Sequence, residues 1–461
     1  MVQIKKKYNI LFLGRSVYHF SYYESILSSL IDKYDVKLKI LFDKKWSENQ
    51  PKESLKSFES KYKKNISIGW SERRKDIFRN FVFVLRELTT FSSYLSRKDQ
   101  SYFYARRWRS YLPPLIKSIT RYNFCKKIVG SKIFFITLKT IEKLIPTSKN
   151  IDNYLRKSSP DLIIISPANM RFCEQTDYIK SAKKLSIKTV VPVLSWDNLS
   201  TKGIFHTKPD LLIAWNNSHK LDALKIHGFE EDKIKISGSP FFDKWLNPNL
   251  REEPEIFKSM MGINKDDEYI LYLGSSANIA RDETWIIRNL LEEIKLSPSP
   301  FNKIKIIARP HPANFNNYKK IENDDIILWP KRFSLPESFE AQKNFYNSVI
   351  HSLCSIGLNT SGMIDATIMN KTCIAYLTKE YNSTQTNAHH FNYLMKSNIF
   401  PIVKSPKEFA TYIQNLPSKE EENKKIRKLF IKEFVRPTSN KEKAGEVAAK
   451  IIINFLNENS F

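Results

Sequence analysis

Short apolar runs separated by longer amphipathic segments recur along almost the whole sequence, and no other feature restricts its folding so strongly. Runs of four to eight mostly β-branched or aromatic residues between helical stretches are the pattern of βαβ units. Their strands pair in parallel and are buried on both faces. The first half offers YNILFLG (8–14), VKLKILF (36–42), DLIIIS (161–166), TVVPVLSW (189–196), DLLIAWN (210–216) and KIKISG (233–238). A second series follows: EYILYLGS (268–275), KIKIIAR (303–309), DIILWP (325–330), SLCSIGL (352–358), KTCIAYL (371–377) and IFPIV (399–403). Residues of roughly 45–150, rich in Lys, Arg, Tyr, Phe and Ser, interrupt the first series and are expected to be mainly helical or irregular. Two doubly wound, Rossmann-like α/β domains facing each other across a cleft are the expected architecture. Residues 1–245 form the first, 246–266 a linker and 267–435 the second. Helices near 419–434 and 440–457 follow, with residues 436–461 closing the chain.

At 461 residues there is room for two domains with separate cores. The net charge of +27 is uneven: residues 1–150 hold 32 Lys/Arg against 12 Asp/Glu, a net of +20. Such a face implies an anionic partner. The four cysteines, Cys125, Cys173, Cys354 and Cys373, form no CxxC pair and read as reduced core residues, neither a disulfide frame nor a zinc site. The start, MVQIKKKYNILFLGRS, fits a first strand better than a signal peptide, and no run reaches the roughly 18 apolar residues of a spanning helix.

Three loops of the second series carry chemistry where connectors usually do not. In ARPHP (308–312) two prolines end a strand and present Arg309 and His311 on a stiff turn at its carboxyl end, where open α/β sheets bind ligands. In LGSSANIARDETW (273–285), Gly274, Ser275, Ser276 and Asn278 precede a helical segment. Small residues there are expected to expose backbone N–H groups to a phosphate, or else simply to cap the helix. In GLNTSGMIDATIMNKT (357–372), Asn359, Thr360 and Ser361 end a strand and Gly362 allows close approach. Asp365 lies one turn into the next helix, suited to ribose hydroxyls.

The ordered set SWDNLSTKG (195–203), PDLLIAWNNSHKLDALKIHGFEEDKIKISGSPFFDKW (209–245), YLGSS (272–276), ARPHP, GLNTSGMIDA (357–366) and STQTNAHHFNYL (383–394) resembles a family. FVRPTSNKEKAGEVAAKII (434–452) extends the likeness, which covers about residues 158–455. The chain resembles GT-B glycosyltransferases, in particular bacterial surface-polysaccharide enzymes with an RPHP element. These include CDP-glycerol glycerophosphotransferases, capsule Kdo transferases, polysialyltransferases and SWDN-containing relatives. The resemblance implies metal-independent transfer of a sugar, or a related group such as a polyol phosphate, to a lipid-linked or polysaccharide acceptor. The donor would be a nucleotide-diphosphate or nucleotide-monophosphate sugar, with no cofactor. Arg309 and His311 would stabilise the leaving phosphate, helped by Gly274, Ser275, Ser276, Asn359, Thr360 and Ser361. Arg281 and Arg436 are secondary. The helix after the NTS loop usually carries Glu where this chain has Asp365. A single histidine of the family aligns best with His390, beside His389 and Gln385.

The acceptor's base is expected from the first domain. Asp197, at the end of a strand in SWDN, is the favoured site residue, and His19 in GRSVYHFSYYES is the alternative. No DxD motif stands out, since Asp324-Asp325 reads as a turn, and no metal site is expected. Between Arg73 and Lys143, 17 Lys/Arg and four Asp/Glu mix with large aromatics. That composition suits an anionic membrane surface, or a helical subdomain with its aromatics turned inward; nucleic acid is not expected. The protein is expected in the cytoplasm, peripheral to the inner face of the plasma membrane. Two other readings share the scaffold: a non-hydrolysing nucleotide-sugar 2-epimerase, and a non-catalytic basic membrane-binding protein.

Overall fold

The strand nearest the amino terminus, β1 (Tyr8–Gly14), is apolar at nearly every position because parallel neighbours flank it and both its faces are covered. It pairs with β2 (Val36–Phe42) on one side and β4 (Leu162–Ser166) on the other. β3 (Ile66–Trp70), β5 (Lys188–Pro192), β6 (Leu211–Ala214) and β7 (Ile234–Ile236) complete a parallel sheet of order β3-β2-β1-β4-β5-β6-β7. A second parallel sheet holds β8 (Tyr269–Leu273), β9 (Lys305–Arg309), β10 (Ile326–Leu328), β11 (Ser355–Gly357), β12 (Cys373–Tyr376) and β13 (Ile402–Val403). Its order is β10-β9-β8-β11-β12-β13. Each order reverses direction once, between β1 and β4 and between β8 and β11, which is the Rossmann arrangement. This computed structural model describes residues 7–48, 53–98, 102–332, 338–439 and 441–458.

The chain divides into two compact units, residues Met1–Asp243 with Glu433–Phe461, and Lys244–Lys432. The helix Ala444–Asn457 belongs to the first because it packs on Glu24–Lys33: Lys33 pairs with Glu446 at 2.9 Å, and Ala448, Ala449, Ile452 and Ile453 enter that core. Asp243 fixes its start, accepting the Ala444 and Gly445 N–H groups at 3.0 and 2.8 Å. The stretch 246–266, expected as a linker, instead carries the helix Pro254–Met261 with Leu250, Phe257 and Met261 buried. Its Glu252 pairs with Lys343 at 2.9 Å.

Two features of the basic interruption differ from expectation. It contains β3, a half-exposed edge strand whose short ISIGW carries too little apolar signal to stand out. Part of its charge also turns inward. Arg86, on the helix Phe78–Ser96, donates to Asp177 at 2.9 and 3.0 Å and to Glu142 at 2.8 Å, while Arg74 reaches Asp177 at 3.1 Å. All four side chains are buried. Removing one partner of such a network leaves charge desolvated and unmatched. Asp177→Ala should therefore lower the unfolding free energy by about 3–5 kcal/mol in chemical denaturation. The exposed Arg121→Ala should change it by less than about 0.5 kcal/mol.

Candidate functional site

In the second unit the three loops singled out above leave one sheet at its carboxyl edge. Pairing sets their alignment: Leu273 lies opposite Arg309 on one side and Gly357 on the other. Gly274 continues β8, and its N–H donates to the Arg309 carbonyl at 2.9 Å. A Cβ there would stand 2.7 Å from the Tyr318 hydroxyl and 2.9 Å from the Pro310 Cα, so only glycine lets the ARPHP turn approach.

Arg309 is buried, and no carboxylate of a described residue meets it. Its Nη1 donates to Asn344 Oδ1 at 2.8 Å and lies 3.4 Å from Ser348 Oγ, while its guanidinium carbon is 4.9 Å from the Phe345 ring centroid. Its Nη2 is buried without a hydrogen-bond partner. Burial pulls the group down to about 9, so it remains cationic at neutral pH. His311 begins the turn Pro312–Asn314 and accepts the Ala313 N–H through Nδ1 at 3.3 Å. That bond leaves Nε2–H as the ring's donor. Burial lowers its pKa, which keeps the ring neutral.

The helix Ser361–Ile368 starts at Thr360, whose hydroxyl makes no capping bond. Its first turn packs against the same support: a Cβ on Gly362 would lie 3.7 Å from the Phe345 ring. The positive end of this helix and the buried guanidinium thus share one aromatic ring. Asn359 donates to the Thr384 carbonyl at 2.5 Å, and its Nδ2 lies 3.4 Å from His390 Nε2. Gln385 locks this loop to the sheet, donating to the Leu358 and Tyr376 carbonyls at 3.0 and 2.8 Å. His389 instead contacts the Tyr393 hydroxyl at 2.9 Å.

Two expectations need correction in detail. The helix after β8 begins only at Thr284, and the Ser275 N–H is not free: Glu283 accepts it. Glu283 is wholly buried and also takes the Tyr318 and Tyr272 hydroxyls at 2.8 and 3.1 Å. Desolvation pushes its carboxyl up to about 7 against these three donors. Ser275 Oγ is buried beside the same carboxyl, and the Ser276 carbonyl accepts the Ile279 and Ala280 N–H groups at 2.8 and 3.0 Å. Asp365 is buried, with one oxygen taken by Trp245 Nε1 at 2.6 Å. Burial raises its pKa to about 6, and Trp245 stacks on Phe345 with centroids 5.4 Å apart. Trp245, Glu283 and Phe345 were not legible as site residues. Arg281 is exposed, and Asp325 pairs with Lys295 at 2.9 Å as a turn residue would.

In the first unit Asp197 pairs with Lys202 at 3.0 Å and accepts the Ser195 and Thr201 hydroxyls at 2.6 and 2.8 Å. His19 is held neutral: burial first, then Arg15 and Lys202, bring its pKa down to about 3. Lys202 thus links the two base candidates electrostatically. Arg436 donates to the Glu442 carbonyl. Among the described residues no group of three or more His, Cys, Asp or Glu is placed to hold a metal ion.

The family model for CDP-glycerol:poly(glycerophosphate) glycerophosphotransferase matches residues 202–452, more than half of the chain. The solved wall teichoic acid polymerase TagF is similar at 13% identity, covering 98% of this chain and 89% of that one, with a TM-score of 0.51. A putative UDP-N-acetylglucosamine 2-epimerase from Listeria monocytogenes is similar at 10% identity over 99% and 98%, TM-score 0.56. S. aureus MnaA bound to UDP is similar at 12% over 98% and 97%, TM-score 0.53. No curated protein sequence matches significantly. At these identities the structural likeness concerns the fold, which is GT-B.

An unmatched buried cation costs stability, and the site keeps one. Arg309→Met should raise the melting free energy by about 1 kcal/mol, as removal of a strained functional group does. Glu283 gives a pH signature. Its folded pKa lies above the unfolded value, so its contribution is complete below about pH 4.5 and lost as pH rises through 7. Between pH 5 and 8 the wild type should lose on the order of 3 kcal/mol relative to Glu283→Gln in parallel denaturation series.

Proposed function

The chain belongs to the CDP-glycerol:poly(glycerophosphate) glycerophosphotransferase family, and we propose that its second unit binds the phosphates of a nucleotide-activated donor. It is a GT-B transferase of cell-surface polymer synthesis. The observation that carries the donor reading is Arg309, a desolvated guanidinium with an unmet N–H and no carboxylate beside it among the described residues. Whether a sugar or a polyol phosphate moves, the leaving group is a nucleotide phosphate on which negative charge grows. Groups already desolvated and oriented stabilise that charge best, because they need not reorganise as the bond breaks. Arg309 supplies the charge, His311 a neutral Nε2–H, and Thr360 and Ser361 the hydroxyls and N–H groups of a helix start. Gly274, Ser275, Ser276, Asn359 and His390 shape the pocket. Asp365, tied to Trp245, sets the helix that carries Thr360. In the first unit His19, neutral at working pH, and Asp197 are the candidates to take the acceptor's proton.

The acceptor is lipid-linked or a glycan, and the basic segment brings the enzyme to an anionic membrane at the inner face of the plasma membrane. Tyr94, Tyr104 and Trp108 of that segment are buried, so only part of it is available. The available part is the helices Pro114–Ile119, Asn123–Val129 and Lys132–Leu144, where Leu115 and Phe124 are 73% exposed and Ile133 and Leu144 79%. From residue 101 to 141 there are nine Lys/Arg and no Asp or Glu. No helix among the described residues is long and apolar enough to cross a membrane.

Thermal-shift titration with CDP-glycerol, a CMP-sugar and UDP-N-acetylglucosamine tests the donor reading. One nucleotide-activated donor should stabilise the wild type, and Arg309→Met should weaken its binding at least about tenfold, the loss of one charge-assisted contact. Conversion of UDP-N-acetylglucosamine to its C2 epimer would mark an epimerase instead. Sedimentation with phosphatidylglycerol vesicles tests the membrane reading. Charge reversal at Lys126 and Lys127 should cut partitioning by on the order of tenfold or more. Turnover of a soluble acceptor should persist.

A further inference from the structure

The stretch 275–284 ties the loops of the second unit's site to one another, and a single carboxyl sits at its centre. Asn314, at the end of the turn Pro312–Asn314, donates to the Ser275 and Ala280 carbonyls at 3.0 and 2.9 Å. From the other side Thr384, whose carbonyl receives Asn359, donates to the Ile279 carbonyl at 3.1 Å. Glu283 joins the Gly274 loop to the ARPHP segment directly. Its Oε1 takes the Ser275 N–H and the hydroxyl of Tyr318, on the helix Phe315–Tyr318, the latter at 2.8 Å. Its Oε2 takes the Tyr272 hydroxyl of β8 at 3.1 Å. The Tyr318 hydroxyl is also the atom that a Cβ on Gly274 would strike.

Burial pushes both phenols up, so they stay protonated and donate. The neighbouring Asp282 carboxylate turns away, onto the Thr284 N–H and hydroxyl at 3.0 and 2.7 Å, and the Tyr381 hydroxyl donates to the Asp282 carbonyl. Each group bonded to Glu283 is thus a neutral donor. An ionised carboxylate accepts from all of them, whereas a protonated one must place its own O–H and turn a donor around. We propose that Glu283 is a positioning residue of the transferase, whose ionised carboxylate clamps the Gly274–Ser276 loop to the ARPHP turn and so sets Arg309 and His311 for the donor phosphates. The inference rests on the donor reading and assigns it a control group outside the phosphate contacts. Desolvation brings this carboxyl up to about 7, so the clamp changes state near neutrality. Ionisation costs folding free energy yet tightens the site, which sets stability and donor affinity in opposition. A side chain that merely held the fold would move both together.

Calorimetric titration of the full chain with CDP-glycerol, a CMP-sugar and UDP-N-acetylglucosamine, alongside denaturation at each pH, tests this. None of these donors carries a phosphate monoester, so their phosphate charge is constant from about pH 6 to about pH 8.5. Across that range the wild type's Kd for the donor it binds should fall roughly three- to tenfold while its stability declines, the worth of one hydrogen bond. Glu283→Gln should bind weakly throughout, with no dependence on pH. The dependence should persist in Asp365→Asn, since that carboxyl lies lower, at about 6. Tyr318→Phe breaks the clamp without removing the carboxyl and should weaken donor binding several-fold at the alkaline end, an independent variant should Glu283→Gln melt early. A Kd indifferent to pH, a dependence that survives in Glu283→Gln or vanishes in Asp365→Asn, or affinity that declines together with stability would overturn the proposal. Binding of none of the three donors at any pH would overturn the donor reading itself, and this inference with it.

Discussion

A guanidinium held out of water, with no carboxylate among the described residues to meet it, is the constraint around which the second unit is organised. Arg309 can occupy that position only because its surroundings lower the cost in small steps. An amide oxygen of Asn344 and the face of Phe345 receive it, and two flanking prolines leave the turn little freedom. The glycine at the end of β8 lets that turn come close, and the register of β8 with β9 and β11 aligns three strand ends. Oppositely charged side chains would stabilise the arginine more cheaply, but would neutralise it. The arrangement gives up stability to keep a charge desolvated and oriented.

The first unit handles its charge differently. Arg74, Arg86, Glu142 and Asp177 neutralise one another inside, which ties the basic interruption to the helix Gln175–Lys184 beside the sheet. Lys139 also turns inward, onto the Phe205 and His206 carbonyls, while Lys117, Lys126, Lys127 and Lys132 stay on the surface among apolar side chains of three helices. One segment therefore has two physical characters, a pinned interior and a solvent-facing apolar and basic surface. Composition alone, which sums both, describes neither.

Much of the fold could be read from periodicity. Twelve of the strands coincide with apolar runs because parallel strands buried on both faces need such runs. β3 escaped because an edge strand needs them less. ARPHP was legible for a local reason: proline ends a strand wherever it stands, and whatever polar residues accompany it are presented there. Glu283 and Trp245 were not legible. Their importance arises from partners distant in sequence or fold, Tyr318 for one and Asp365 for the other, and nothing in DETW or FDKW announces those contacts. Asp365 shows the limit of reading a residue by type: an acid on the second turn of a phosphate-facing helix suits a ribose, yet one of its oxygens already serves an indole.

The helix Ala444–Asn457 completes the core of the first unit although the whole of the second precedes it in sequence. Synthesis from the amino terminus therefore delivers residues 244–432 in full while the earlier unit still lacks an element of its interior. The later-encoded unit is free to mature first, and the earlier one must wait with the Ser25 and Lys33 face of Glu24–Lys33 uncovered until translation passes residue 457.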